Sequence, residues 1–423
     1  MMRVLFTVNP DKSVFLSMVP LAWALRAAGH EVRVASQPGF AGIITQAGLT
    51  AVGVGRDTDV FGRIKDQHPE EYDAQRARLP QPYEAATLTP EQLDWAAMRD
   101  GYQHVLRFWH KHDNFPSTAE LVTFAKAWRP DLVIWEPTTY SGAIAAKACG
   151  AAHARLLWSI DVFGVTRDRY QRLRGDRTED PLADWLGGYA RKYGYPYDED
   201  MVTGQFTIDP LPDSMRMDAG LERVPMQYVP YGGPAVVPKW LWTAPERPRV
   251  AVTLGITATE RFAGYAADVR EILDAVADLD IEVVATIAAS EQHRLTRIPD
   301  NTRVLSFVPL QALAPTCAAV ISHAGPGTFL TTALYGVPQL TLPWDFDEPE
   351  LARRAAEQGG TLVIDANRAT GQVVRESLLR LLREPRFAER AGVLRDELRA
   401  LPSPGEIVGR LEELTVKYRT ASR

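Results

Sequence analysis

The chain has 423 residues, 46% of them apolar and 24% charged, with a formal net charge of −6. That length is too great for one core and implies two domains of an ordinary soluble globular protein. Net negative charge without a dense basic run argues against a nucleic-acid binder, and no apolar run approaches the roughly 20 residues of a membrane span. Cys149 and Cys317 lie far apart, without CxxC spacing, and read as buried, reduced thiols of a cytoplasmic protein. The first residues lead straight into a strand too short to serve as the apolar stretch of a signal peptide.

The first strand is Arg3-Val4-Leu5-Phe6-Thr7-Val8, followed by a polar loop and an apolar-periodic helix over 14–28. Gly29 closes that helix and a second strand, Glu31 to Ala35, follows at once. This is a βαβ unit, hence a parallel sheet covered by helices. The loop after the first strand contains no glycine, so a dinucleotide fingerprint is missing. Residues 56–116 show no clean period and read as an insertion that builds a binding wall or lid. His104, His110 and His112 lie close in sequence, but 110 and 112 point in different directions on a helix. A solvated helix face explains them better than a metal site.

Order returns with a strand over 132–135, a small-residue helix over 141–149 and a strand over 155–158. Glu136, Asp161 and Asp11 all follow strands, where ligands of parallel sheets bind and where acids also cap helices. Residues 204–249 lose periodicity and gain Pro, Gly and Tyr, a linker composition. Strands then recur from Arg249 to Thr361–Ile364, and a last helix runs to about Lys417. Val320-Ile321-Ser322-His323-Ala324-Gly325-Pro326-Gly327-Thr328 reads as a strand, a glycine loop and a helix start. Unpaired N–H groups at a helix start suit a phosphate, but an unliganded strand–helix joint has the same form.

Several separated segments together resemble the GT-B glycosyltransferases that attach TDP-deoxysugars to polyketide antibiotics. They are Val19-Pro20-Leu21-Ala22 through Val32, Trp128 through Pro137, His153 through Trp158, Phe307-Val308-Pro309, His323 through Thr328, and Gly336-Val337-Pro338-Gln339. The resemblance runs nearly end to end and is loosest after Arg56. It implies an α/β GT-B fold, two Rossmann-like parallel-sheet domains facing a deep interdomain cleft. Residues 1–215 would bind the acceptor, 216–248 would link, and 249–400 would bind the nucleotide sugar. The segment 401–423 would end in a helix packed back on the first domain.

The resemblance further implies an inverting, metal-independent transfer from a TDP-deoxysugar to a polyketide or macrolide aglycone, with no cofactor beyond the donor. Phe307, Val308 and Pro309 would form a ledge under the nucleotide base. His323, Gly325, Gly327 and Thr328 would hold the diphosphate, with Thr257 nearby. Asp347 and Glu348 stand where relatives carry Asp-Gln against the sugar hydroxyls, and a carboxylate at 348 would suit an amino sugar or cap a helix. A P450-like auxiliary activator protein is implied as a partner, with residues 161–174 and the preceding insertion as docking surface; a homodimer is a further expectation.

One departure stands out. Aligned on Val19-Pro20-Leu21-Ala22, the slot where oxygen-glycosylating relatives carry a base histidine is Val14. Three readings follow: Asp161, Asp11 or Glu136 is the base; the acceptor is an acidic phenol or an aromatic carbon, giving a C-glycoside; or the chain is a weakened, non-catalytic homologue. A sugar-nucleotide epimerase is the alternative chemistry on this fold.

Overall fold

The structure, a computed structural model, describes residues 1–59, 62, 66, 79–255 and 264–419. Among these residues the chain forms two parallel sheets of seven and six strands. The first holds β1 (Arg3–Thr7), β2 (Glu31–Ser36), β3 (Ala51–Gly53), β4 (Leu132–Trp135), β5 (Ala152–Leu156), β6 (Phe206–Asp209) and β7 (Arg223–Pro225), in the order β3-β2-β1-β4-β5-β6-β7. The second holds β8 (Arg249–Thr253), β9 (Glu282–Thr286), β10 (Thr302–Leu305), β11 (Cys317–Ser322), β12 (Gln339–Thr341) and β13 (Thr361–Val363), in the order β10-β9-β8-β11-β12-β13. Each order reverses beside its first strand, at β1/β4 and at β8/β11. Such a reversal opens a crevice beyond the carboxyl ends of the strands.

The strands read as unbroken apolar runs because helices cover both faces of a parallel sheet. Val4, Leu5 and Phe6 of β1 and Leu132, Val133 and Ile134 of β4 are fully buried. The helix Lys12–Ala27 begins two residues before the period predicts. Asp11 caps it, its carboxylate accepting the N–H groups of Ser13 and Val14.

Three segments differ from the sequence reading. β5 starts at Ala152 rather than 155, which leaves Leu157, Trp158 and Asp161 in the loop beyond it. Arg223–Pro225, inside the expected linker 216–248, is the edge strand of the first sheet, paired with β6. Three residues are too few for a period to show. His110 is not on a solvated face but fully buried, while His112 is exposed. Leu106–His110 forms a π-helical turn, and the wider turn shifts the helix phase that a 3.6-residue period assumes.

Cys149 and Cys317 are free and half-buried; burial raises both thiols, Cys317 to about 12. Part of the expected lid, residues 60, 61, 63–65 and 67–78, lies outside the described residues. The expected docking helix, Val162–Arg174, turns Phe163, Arg167 and Tyr170 inward and leaves only a polar outer face. Among the described residues no helix is long and apolar enough to cross a membrane.

The chain passes between the two sheets twice. It leaves β7 for β8 through 226–248, and returns through 400–407 after the helix Pro385–Arg399. The final helix, Val408–Tyr418, packs Val408, Leu411 and Leu414 into the core of the first sheet, beside Val4 and Phe6. Where the two passages meet, the Gln227 N–H donates to the Pro402 carbonyl at 2.7 Å.

Candidate functional site

On the second sheet the site begins at β11. After Ser322 the chain turns through His323 and Ala324 into the helix Pro326–Ala333, whose N-cap is Gly325. No side chain caps this helix. Pro326 lacks an N–H, so the N–H groups of Gly327 and Thr328 are the ones free of the helical ladder at its positive end. The left-handed residue is Ala324, with φ 68°, not a glycine. Gly325 has φ −54°, and its role is clearance. A Cβ on Gly325 or on Gly255, in the loop after β8, would collide with the His323 ring. The imidazole is therefore clamped edge-on between two bare backbones.

His323 is 8% exposed, and its Nδ1 has no hydrogen-bond partner. Burial lowers its pKa to about 4, so the ring is neutral at pH 7. Phe307 lies just past β10 on the same sheet edge, half exposed, while Val308 beneath it is buried and Pro309 opens the next helix. The exposed ring offers a flat apolar face. Thr257 lies outside the described residues.

Asp347 and Glu348 follow β12 on that edge. Neither side chain caps the helix Glu348–Gln358. The Glu348 carboxylate instead folds back to accept the N–H groups of Trp344 (3.3 Å) and Asp345 (3.1 Å), and lies 3.5 Å from His323 Nε2. Burial raises Asp347 to about 6, and burial with repulsion from Asp345 and Asp347 raises Glu348.

On the first sheet the three candidate acids separate. Asp161 is buried with both oxygens committed: Arg155 holds them at 2.7 and 3.1 Å, and the Gly164 N–H donates at 2.8 Å. These bonds anchor the start of the following helix. Asp161→Asn should leave buried Arg155 unpaired and cost about 3–5 kcal/mol in urea unfolding, with the loss appearing in stability before activity.

Asp11 lies near enough to Glu136, across β1 and β4, for its charge to add to the cost of ionising Glu136. Glu136 is buried beneath the β1 loop, and burial raises its pKa. It accepts from the Thr138 N–H (2.9 Å), the Thr138 hydroxyl (2.7 Å) and the Thr139 hydroxyl. The Thr139 hydroxyl in turn accepts the Asn9 N–H at 3.0 Å. Glu136 thus fixes the loop that carries Asp11, and Asp11 is the acid with part of its surface open. Val14 sits in the first helical turn, half-buried against the core.

Two features are not legible in the sequence. Tyr83 and His110 share a buried hydrogen bond, and burial holds His110 at about 3, hence neutral. Phe346, from the second sheet's β12 loop, inserts among Tyr83, Trp109, Trp158 and Phe163 of the first, with ring centroids 5.6–6.4 Å away. The ring sits on a left-handed backbone, φ 39°. Clusters of Trp and Phe near 109 and 163 were the available signal, but nothing local paired them with residue 346. Among the described residues no group of three His, Cys, Asp or Glu is placed to hold a metal ion.

Residues 23–255 match the family described as erythromycin biosynthesis protein CIII-like, N-terminal domain, and residues 270–414 match its C-terminal domain. The chain is 44% identical to 10-deoxymethynolide desosaminyltransferase of Streptomyces venezuelae, over 99% of this chain and 98% of that one. It is 43% identical to aklavinone 7-beta-L-rhodosaminyltransferase of Streptomyces galilaeus, over 99% and 97%. The crystal structure of glycosyltransferase VinC in complex with dTDP is similar with a TM-score of 0.87 at 40% identity, covering 98% of this chain and 100% of the other.

Proposed function

The chain belongs to the erythromycin biosynthesis protein CIII-like glycosyltransferases, and from that premise we propose that it moves a deoxysugar from a TDP-sugar to a hydroxyl of a polyketide aglycone. One observation carries the reading: an uncapped helix start with His323 clamped beside it between two glycines.

The donor's base stacks on Phe307, and its diphosphate meets the N–H groups of Gly327 and Thr328 with His323. The aglycone enters against the aromatic residues of the first domain, in the place Phe346 holds. Asp11 takes the proton from the acceptor hydroxyl as that oxygen attacks the anomeric carbon. The bond from that carbon to the diphosphate oxygen breaks, TDP leaves, and the configuration inverts. Negative charge gathers on the leaving diphosphate, where the helix start and His323 meet it. Glu136 is a positioning residue, since it reaches the chemistry only through the Thr139–Asn9 loop. An auxiliary protein belongs to this proposal, seated on the polar outer face of 162–174.

The test is TDP release from a TDP-deoxysugar with and without aglycone. Release that requires aglycone and yields glycoside supports transfer. Sugar interconversion without transfer would indicate an epimerase, and TDP binding without turnover a non-catalytic homologue. Acid stability of the product separates C- from O-glycoside. Phe307→Ala should weaken TDP binding about tenfold in calorimetry, in line with roughly 1–3 kcal/mol per stacked base, with no change in melting temperature.

A further inference from the structure

Tyr228, in the passage from the first sheet to the second, is a buried group that the transfer above does not use. Its backbone is held by the first sheet. The Met226 N–H donates to the Asp209 carbonyl at 3.0 Å, prolonging the pairing of β7 with β6, and the Gln227 N–H makes the tie to Pro402. Its side chain reaches the second. The ring shares a buried cluster with Phe329 and Leu330 of the helix Pro326–Ala333, and the hydroxyl donates to the Gly327 carbonyl at 3.3 Å. The Thr331 hydroxyl, one turn along, lies 3.4 Å from the same phenolic oxygen.

The helix does not require this bond. Inside an α-helix the Gly327 carbonyl already accepts the N–H four residues on, so Tyr228 reaches its second lone pair. The choice of acceptor is what matters. The Gly327 carbonyl and the Thr328 N–H are the two ends of one peptide unit, joined by a C–N bond of partial double-bond character. A hydrogen bond to the oxygen draws electron density from the nitrogen and makes that N–H a stronger donor. Thr328 carries one of the two N–H groups left free at the helix start. Burial raises the Tyr228 pKa, so the phenol keeps its proton and remains a donor. With that proton committed to Gly327, Thr331 gives its own to the phenolic oxygen. The run Thr331, Tyr228, Gly327, Thr328 then points one way, toward the anion.

We propose that Tyr228 is a positioning residue for the leaving diphosphate, acting through the Gly327–Thr328 peptide, which it polarises and ties to the first sheet. This rests on the donor-site reading above and deepens it: a side chain that touches no substrate sets how strongly the helix start grips one. Phenylalanine would fill the same space and leave the Gly327 carbonyl its helical bond, so the hydroxyl can be tested by itself.

The experiment measures binding of TDP and of thymidine by calorimetry in the wild type and in Tyr228→Phe, with melting temperature alongside. Thymidine keeps the base and its sugar but brings no diphosphate. TDP affinity should fall about three- to tenfold in Tyr228→Phe, the range of one net hydrogen bond, while thymidine affinity stays unchanged. Thr331→Val removes the outer donor and should give a smaller loss, again confined to TDP. The double variant should be no worse than Tyr228→Phe, because the outer donor acts only through the phenol. Unchanged TDP affinity in Tyr228→Phe overturns the inference while leaving the donor site standing. An equal loss for TDP and thymidine does the same, since it marks a disturbance of the whole fold. A wild type that binds thymidine as tightly as TDP takes the diphosphate away from the helix start and overturns both readings.

Discussion

Asp11→Asn is expected to lower kcat by about 10²- to 10³-fold, the range of a lost general base, with TDP affinity and melting temperature unchanged. The separation follows from geometry. Asp11 caps the first helix through Oδ1, which accepts the Ser13 N–H at 2.8 Å and the Ser13 hydroxyl at 2.6 Å. Asparagine keeps a carbonyl oxygen in that place and caps helices as well as aspartate does. What it cannot do is take a proton. Asp11→Ala removes both properties and should add about 1 kcal/mol of destabilisation in urea. Glu136→Gln is the comparison: it keeps most of the loop's hydrogen bonds, and as a positioning change it should affect KM for the aglycone along with kcat. Undiminished turnover in Asp11→Asn, with glycoside still formed, would move the base elsewhere or point to an acceptor that needs none.

His323→Ala should cost about 10²–10³ in kcat, as loss of one preorganised group at the developing charge does, while stability moves little. The buried ring carries an unpartnered Nδ1, so its removal forfeits packing but also an unpaid polar burial. Gly325→Ala should reproduce much of this loss without touching the imidazole, since the added Cβ takes the ring's place. The double variant should then be hardly worse than either single one, the signature of two changes acting through one group. A proton adds a second readout. Burial sets the free ring at about 4, and a diphosphate beside it favours the imidazolium, so the bound value is higher. The bound state therefore holds more proton than the free state between those two values. TDP affinity should rise as pH falls through that window and level off near 4. In His323→Ala this dependence should be gone.

Much of the architecture was readable because parallel strands with covered faces are written as apolar runs, as at Val4–Phe6 and Leu132–Ile134. The glycine loop at His323 was readable as local structure, since a strand, small residues and a helix start follow one another there. The reason for its glycines was not. It depends on Gly255, seventy residues away, and on where a ring falls between two loops. The acids show the same limit. Glu136, Asp161 and Asp11 occupy equivalent places after strands, and nothing local distinguishes them. The distinction is made by Arg155, which lies on β5, the strand that leads to Asp161, and points back to claim it. His110 was misread because one π-turn rotates everything after it, and no composition rule marks such a turn.

The two passages of chain between the sheets are tied at Gln227 and Pro402, and this restricts how the molecule opens. Two bodies joined by one strand can swivel freely; joined by two strands that touch, they keep a single axis running through the tie. Phe346 among the aromatic rings, the Arg354 guanidinium donating to the Arg216 carbonyl at 2.9 Å and Ser214 meeting Glu397 also join the halves, so any opening about that axis must break these contacts together.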